Sequence, residues 1–222
     1  MPEGHTVNRT ANEFNRLFAG EKVKVISPQG RFSSSAVKVS DFALVNARAI
    51  GKQLFLEFEN ELTIRIHLGI YGKWSFSQLE GGLSEPVGQV RARFIGSNYF
   101  ADLRGPTVCE VIDSAQVRSV ENRLGPDPLN PNPRGRESKR FIERVLGSKA
   151  PIGLQLMNQD VISGIGNVYR AELLFRAGIS PHKPGNTIAV EQLEALWLDS
   201  VELLKVGVKT GYMITRDEDR KS

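Results

Sequence analysis

The sequence predicts an α+β protein in which a sheet-rich N-terminal part with one leading helix precedes an all-helical part. Apolar residues recur at helical spacing between Val7 and Phe18, then alternate with polar residues in short segments, and return to helical spacing from Glu137 onward. A stretch rich in proline and glycine, Arg123 to Gly135, separates the last two patterns. These three observations indicate two domains.

The N-terminal part is predicted to be a β-sandwich-like domain. Its leading helix has apolar side chains at positions 7, 11, 14, 17 and 18, and Gly20 is the expected end. Every second residue is apolar around Val23, Ile64 and Ala92, as in strands with one buried face. The segment LFLEFENELTIRI predicts two strands joined in a hairpin at Glu59–Asn60.

The C-terminal part shows four helical segments. They are ESKRFIERVLG, PIGLQLMNQD, NVYRAELLFRAG and a long segment that follows Thr187, its predicted N-cap. We predict an N-terminal domain at 1–118, a linker at 119–136, a helical domain at 137–209 and a tail at 210–222. The tail offers too little apolar surface to fold alone.

The composition limits the class of protein. A hydrophobic content of 40% and a charged content of 24% are ordinary for a globular protein. Because the sequence shows neither an apolar run of membrane-spanning length nor a signal-peptide pattern, we expect a cytoplasmic protein. A net charge of +4 is compatible with a polyanionic partner. Cys109 is the only cysteine, which excludes an internal disulfide.

The N-terminal segment MPEGHT allows two interpretations. Pro2 and Glu3 suit the first turn of a helix, where a missing N–H costs nothing and a carboxylate favours the dipole. If Met1 is removed, Pro2 instead becomes a terminal secondary amine beside a carboxylate. An α-amine, with a pKa of about 7.7–8.0 against about 10.4 for lysine, is roughly 10²–10³ times more often neutral and nucleophilic.

The segment DVISGIGNVYRAELLFRAGISP contains two glycine turns around a helix. Gly164 and Gly166 predict a tight turn into a helix that begins near Asn167, and Gly178 predicts a second turn. Backbone N–H groups at such a helix start, together with the Asn167 amide, are suited to hold a phosphate. The turn by itself is more typical of a connector between packed helices.

Together, these segments resemble the formamidopyrimidine-DNA glycosylase and endonuclease VIII family. In that family Pro-Glu follows a removed methionine, and GIGN begins the second helix of a helix–two-turns–helix element. Further motifs stand in family order along essentially the whole chain: Gly51-Lys52, HLG at His67, DLRGP at Asp102 and RLGPDPL at Arg123. MPEGHT and IYGKW are closer to the endonuclease VIII branch.

The resemblance implies a bifunctional DNA glycosylase and abasic-site lyase of base excision repair. Its partner is double-stranded DNA that carries oxidised bases, mainly pyrimidines, or abasic sites. Pro2 would form a Schiff base with the sugar, and Glu3 would act as the proton donor. The cationic imine would then favour strand cleavage by β-elimination.

The resemblance also assigns DNA-backbone contacts. Lys52 would bind a phosphate beside the lesion and supply a proton during elimination, while Asn167 and Gly166 bind the same backbone. Arg104 and Lys149 are further candidates for phosphate contacts. Such contacts make affinity salt-dependent without selecting a base sequence. A solvated lysine at a strand end is the alternative interpretation of Lys52.

Three more residues lie near the end of the HLG motif. His67 is either a phosphate contact or a structural histidine. Ile70 and Tyr71 stand where the family has an intercalating loop that fills the gap left by an extruded base, or else they are core residues at a strand end. Gly105-Pro106 replaces the wedge residues of the oxoguanine-preferring branch.

The sequence departs from the family in two ways. Most members end in a four-cysteine zinc finger, which a chain with one cysteine does not form, so we expect no zinc cofactor. Many members have a glutamate where this chain has Thr6. Loss of the finger's phosphate contacts favours an alternative, a weakly active or non-catalytic DNA-binding relative. An RNA-binding module is a third hypothesis, and we expect a monomer.

Overall fold

The computed structural model describes residues 2–80 and 82–215, which form two compact units. One unit holds Pro2 and Val7–Glu121, and the other holds Glu3–Thr6 and the residues from Asn122 onward. Met1 and residues 216–222 of the predicted tail lie outside the described residues. No helix among the described residues is both long and apolar enough to cross a membrane.

The first unit is built from one long helix, a sheet and short helical segments. Helix α1 (Gly4–Phe18) starts three residues earlier than its apolar spacing predicts, and Gly20 follows its end with a φ of +83°. Two further helices are α2 (Ser33–Ala36) and α3 (Ser114–Arg123). The strands are β1 (Lys22–Ile26), β2 (Phe42–Ile50), β3 (Gln53–Phe58), β4 (Thr63–His67), β5 (Lys73–Gln78), β6 (Val90–Ile95), β7 (Tyr99–Arg104) and β8 (Val108–Ile112).

The eight strands form one antiparallel arrangement in the order β5-β7-β6-β1-β2-β3-β4-β8. Strand β1 joins its two halves, because Lys22 and Val23 pair with β2 whereas Lys24–Ile26 pair with β6. A strand shared in this way makes the corner of a folded sheet. The predicted hairpin at Glu59–Asn60 joins β3 to β4.

A single apolar core fills the first unit. Phe14 of α1 lies at its centre, with ring centroids 4.9 Å from Trp74, 5.3 Å from Phe76 and 5.4 Å from Phe94. The three contacts are edge-to-face, the arrangement that aromatic quadrupoles favour. The 3.6-residue spacing of α1 therefore places its apolar face against the strands.

The second unit is helical. Its helices are α4 (Arg136–Leu146), α5 (Ile152–Gln155), α6 (Asn167–Ala177) and α7 (Val190–Thr210). PIGLQLMNQD forms only the four-residue α5. The predicted N-cap at Thr187 is wrong, because its hydroxyl donates to the Pro184 carbonyl within a short 3₁₀ turn, and Ala189 occupies the N-cap position of α7.

The predicted linker differs from the structure. Helix α3 extends to Arg123, and residues 124–128 are buried. The Gly125 N–H donates to the Gln159 carbonyl at 2.8 Å, and the Ser163 N–H donates to the Pro126 carbonyl at 2.9 Å. Proline removes a donor but keeps its carbonyl. The stretch is therefore a packed segment of the second unit rather than a flexible hinge.

The most deeply buried charged residues of the first unit are Arg93 and Asp102, which form an ion pair. Arg93 Nε and Nη2 donate to the two Asp102 carboxylate oxygens at 2.6 and 2.8 Å, and their side chains are only 2% and 3% exposed. Asp102→Asn leaves a buried guanidinium without its counter-charge, so we expect a loss of about 3–5 kcal/mol in the free energy of unfolding.

Urea unfolding followed by tryptophan fluorescence measures this loss. Glu13→Gln is the matched control, since its partner Arg16 is 61% exposed and the same carboxylate-to-amide change should cost less than about 1 kcal/mol. Equal effects of the two substitutions would contradict the prediction.

Candidate active site

The carboxylate of Glu3 lies at the N-terminus of α6. Its Oε2 accepts the Gly166 N–H at 2.6 Å and its Oε1 accepts the Val168 N–H at 3.0 Å. Glu3 is 1% exposed. The start of a helix leaves N–H groups without partners inside the helix, and its dipole favours a negative charge. Glu3 thus occupies two of the donors that the sequence assigned to a phosphate.

Glycine at position 166 is required by this contact. A Cβ there would lie 2.6 Å from both the carboxyl carbon and Oε2 of Glu3. Gly164 has a φ of +93°, a conformation that favours glycine, and its carbonyl accepts the Gly4 N–H at 2.8 Å. The GIG turn of the sequence is therefore shaped to receive the chain segment that follows Pro2.

The side chain of Gln159 holds the turn from the other side. Its Oε1 accepts the Gly164 N–H at 3.0 Å and its Nε2 donates to the Ile165 carbonyl at 2.9 Å. These bonds satisfy backbone groups on both residues that precede Gly166. The sequence contained no signal for this role, since an isolated Gln has no spacing that marks it.

Asn167, the first residue of α6, is exposed and bound to a neighbour on the helix. Arg170 Nη2 donates to Asn167 Oδ1 at 2.6 Å. Because this bond uses the amide oxygen, the amide nitrogen remains the group that can donate to a phosphate. The donor role of Asn167 stays a prediction, with Gly166 contributing its backbone to the Glu3 contact instead.

Lys52 and His67 lie at the same end of the β3–β4 hairpin. Lys52 directly precedes β3, and its neighbour Gln53 pairs with His67. Burial lowers the pKa of His67, and the charges of Lys52 and Arg65 lower it further. The Gly69 N–H donates to His67 Nδ1 at 3.1 Å, which leaves Nε2–H as the donor of a neutral imidazole.

Ile70 and Tyr71 are exposed rather than buried, with 62% and 85% of their surface accessible. They lie in the turn between β4 and β5, closed by the Gly72 N–H donating to the Leu68 carbonyl at 2.9 Å. Gly69 is required there, since a Cβ would come 1.9 Å from Thr107 Oγ1 and its φ is +65°. The alternative of two core residues is therefore wrong, whereas intercalation stays a prediction.

Arg104 is bound within the first unit. Its Nε donates to the Val87 carbonyl, its Nη1 to Ser75 Oγ and its Nη2 to Asp102 Oδ2, at 2.9, 2.8 and 2.9 Å. A phosphate contact would have to compete with these bonds. The guanidinium instead ties the segment before β6 to the sheet.

Lys149 is exposed in the turn between α4 and α5. The carbonyls on either side of it, of Ser148 and Ala150, accept Gln155 Nε2 at 3.4 and 2.8 Å. Its backbone is therefore held by α5. The phosphate contact of Lys149 stays a prediction.

The residues of this chain do not fit the zinc site of the family. Cys109 is the only cysteine, it lies in β8, and burial raises the pKa of its thiol to about 12. Within the part of the chain that the structure describes, no three His, Cys, Asp or Glu side chains cluster as metal ligands.

Two family models match the chain over most of its length. The formamidopyrimidine-DNA glycosylase N-terminal domain matches residues 1–109, and the formamidopyrimidine-DNA glycosylase H2TH domain matches residues 124–219. The chain is 48% identical over 219 residues to endonuclease 8 1 of Mycobacterium tuberculosis, which covers 96% of this chain and 80% of that protein. It is 30% identical over 226 residues to formamidopyrimidine-DNA glycosylase of Parasynechococcus marenigrum, covering 95% and 79%.

Solved structures share the fold. Lactococcus lactis formamidopyrimidine-DNA glycosylase bound non-covalently to DNA containing an abasic site superposes with a TM-score of 0.80 at 20% identity, over 94% of this chain and 82% of that one. The same protein with DNA containing N7-benzyl-Fapy-dG gives a TM-score of 0.82 at 21% identity, over 97% and 82%. At 20–21% identity these structures show a shared fold. Family membership follows from the two domain matches and from the 48% identity to the mycobacterial relative. The chain belongs to the formamidopyrimidine-DNA glycosylase and endonuclease VIII family.

Proposed function

We propose that this protein is a bifunctional DNA glycosylase and abasic-site lyase of base excision repair that excises oxidised bases, chiefly pyrimidines. The observation that carries the proposal is the buried carboxylate of Glu3, bound to two backbone N–H groups one residue after Pro2. Glu3 also caps α6, and the same contacts hold its carboxyl group next to Pro2, where an acid is needed beside the proposed nucleophile. The greater identity to an endonuclease 8 relative supports the pyrimidine preference.

In the first step, the Pro2 nitrogen attacks C1′ of the damaged nucleotide after Met1 is removed. The C1′–N bond to the base breaks, and the base leaves with the electron pair and takes up the proton that the Pro2 nitrogen loses once it has bonded to C1′. Glu3 protonates the ring oxygen as the sugar opens, so that Pro2 and C1′ share a cationic imine. The neutral fraction of an α-amine at pH 7 makes this attack feasible without a catalytic lysine.

In the second step, the imine withdraws electrons and acidifies C2′. The Glu3 carboxylate, ionised by the first step, takes a C2′ proton, and the electron pair of that C–H bond forms a C2′–C3′ double bond. The C3′–O bond breaks, and the 3′ phosphate leaves as an anion with the electron pair of that bond. Water then hydrolyses the imine and releases Pro2. Both steps use only the terminal amine and a side-chain carboxylate, so we propose that the reaction needs no cofactor.

The proposed grip on DNA is electrostatic. Lys52 and the neutral His67 lie at one hairpin end and offer an ammonium and an N–H to phosphate oxygens, and Asn167 offers its amide at the start of α6. Exposed Ile70 and Tyr71 are proposed to fill the gap left by the extruded base. We propose a monomer that acts on cytoplasmic, nucleoid-associated DNA.

A binding protein without turnover is the second candidate. Thr6 favours it, because many family members have a glutamate at this position and Glu3 is then the one carboxylate among residues 2–12. The two candidates differ in covalent chemistry rather than in affinity.

Borohydride trapping on duplex DNA with an abasic site tests the proposed nucleophile. We expect a covalent adduct on the tryptic peptide of residues 2–9, PEGHTVNR, which contains no lysine, so that only the terminal amine is available to carry it. Pro2→Gly should trap more slowly, because a primary amine does not form a permanently cationic imine. A chain that retains Met1 should yield no adduct on this peptide.

Lys52→Gln serves as the control for that experiment, since it should leave the adduct on residues 2–9. An adduct on any lysine-containing peptide would refute Pro2 as the nucleophile. Binding of the duplex without any adduct, by a chain shown to start at Pro2, would establish the binding protein instead.

Glu3→Gln should separate the two steps of the reaction. The amide keeps the size of the side chain but does not donate the proton, so we expect excision of an oxidised base to fall by about 10²–10⁴. Trapping at a preformed abasic site should fall less, since the abasic sugar is in equilibrium with an open-chain aldehyde that needs no protonation of the ring oxygen. Single-turnover rates on the two substrates measure the difference, and Glu13→Gln on the exposed side of α1 is the matched control. Equal losses on both substrates would argue against a proton-donor role.

Lys52→Gln should also reduce the salt dependence of DNA binding. If Lys52 binds one phosphate, the slope of log K against log salt should become shallower by about 0.9. Lys22→Gln removes the same charge from an exposed position on β1 and should leave the slope nearly unchanged. Fluorescence anisotropy at several salt concentrations provides the measurement, and identical slopes for the two variants would exclude a specific contact.

A further inference from the structure

His5 is a buried imidazole that the reaction above does not use. It stands three residues after Pro2 and is 8% exposed. Its Nδ1 lies 3.0 Å from the Tyr169 hydroxyl, and the two rings meet edge-to-face with centroids 5.4 Å apart. A buried polar ring is costly unless it is hydrogen-bonded, so the contact with Tyr169 keeps the imidazole of His5 in this buried position.

The Tyr169 hydroxyl is a neutral donor held inside the second unit. Tyr169 is fully buried, and burial raises the pKa of its phenol, with the charge of Glu3 adding to the effect. The hydroxyl lies within reach of two acceptors, His5 Nδ1 at 3.0 Å and the Leu203 carbonyl at 3.5 Å. His5 Nε2 lies 3.3 Å from Thr6 Oγ1, so both ring nitrogens have a partner.

Helix α7 leaves space for this pair. A Cβ at Gly207 would lie 2.5 Å from the Tyr169 hydroxyl and 2.8 Å from the His5 Cγ. Glycine within a helix costs about 1 kcal/mol relative to alanine. Glycine at position 207 therefore lowers the stability of α7 but leaves room for the rings of His5 and Tyr169.

The contact lies in the same short segment that carries the reacting groups. Glu3 binds the N–H groups of Gly166 and Val168, Gly4 binds the Gly164 carbonyl, and His5 binds Tyr169, the residue after Val168. Three consecutive residues are thus fixed to the turn and first helical turn of α6. A side-chain bond at the third residue limits rotation of the two before it.

We propose that His5 is a positioning residue for the glycosylase reaction, whose hydrogen bond with Tyr169 fixes the orientation of the Glu3 carboxylate and of the Pro2 amine that precedes it. This inference rests on the proposed function. It assigns no proton transfer to His5, which acts through the chain segment it anchors. Misplacement of reacting groups by about 1 Å is enough to cost about 10²-fold in rate.

The test compares four variants: His5→Asn, His5→Leu, Tyr169→Phe and the double variant His5→Leu/Tyr169→Phe. Asparagine places its Oδ1 where the His5 Nδ1 stood and keeps an acceptor for the Tyr169 hydroxyl, whereas leucine has similar bulk without one. Single-turnover excision and borohydride trapping are measured at saturating enzyme. Affinity for duplex DNA with a tetrahydrofuran abasic analogue and the thermal unfolding midpoint are measured in parallel.

We expect His5→Leu and Tyr169→Phe each to slow both reactions by about 10–100-fold while the affinity changes less than about twofold. His5→Asn should restore most of the rate. The double variant should be no slower than either single variant, because both remove the same bond. If His5→Leu does not fold, the rates of His5→Asn and Tyr169→Phe are compared instead, and we expect only Tyr169→Phe to be slow.

Wild-type rates for folded His5→Leu and Tyr169→Phe would overturn the inference, as would an equal loss for His5→Asn and His5→Leu at unchanged affinity. Additive losses in the double variant would also overturn it. Failure of the unmodified protein to trap at all is a different result, since it refutes the proposed function rather than the role of His5.

Discussion

The bond between the Glu3 carboxylate and the N–H groups of Gly166 and Val168 is the constraint on which the rest of the site depends. It joins the Pro-Glu start to the GIG turn, and the two bonded residues Glu3 and Gly166 are 163 positions apart in the sequence. The glycines of the turn leave room for the Glu3 carboxylate, and the N-terminus of α6 supplies its donors. The side chain of Gln159 holds the turn in place. Neither motif has a complete physical explanation without the other.

The bound Glu3 carboxyl group gives the glycine turn a different role from the one that its sequence suggests. A helix N-terminus is a ready anion site, and a phosphate is the ligand that a sequence motif of this kind suggests. The structure fills two of its donors with a carboxyl group from the chain itself, while the exposed Asn167 remains at the same end. The helix start therefore holds the Glu3 side chain in place, and Asn167 is the side chain that we propose for DNA binding at this end.

Much of the fold followed from periodicity. The apolar spacing of α1 and the hairpin at Glu59–Asn60 were predicted because side-chain burial imposes periods of 3.6 and 2 on the sequence. The packed segment at 124–128 was missed, because proline and glycine mark a break in regular structure without showing whether that break is buried. Thr187 was misassigned since its hydroxyl bonds locally, which no spacing reveals. His5, Tyr169 and Gly207 meet only through tertiary packing, so their partnership was not available to sequence reasoning.

The contact at Val168 is made by the main chain, whereas its side chain is 45% exposed. Almost any residue supplies the same N–H, so replacing side chains one at a time would classify this position as tolerant. Proline alone lacks the donor. An alanine scan or a ranking by side-chain variability would thus miss the importance of a residue that holds the carboxyl group of Glu3, the proposed proton donor. Here the functional information is carried by the backbone.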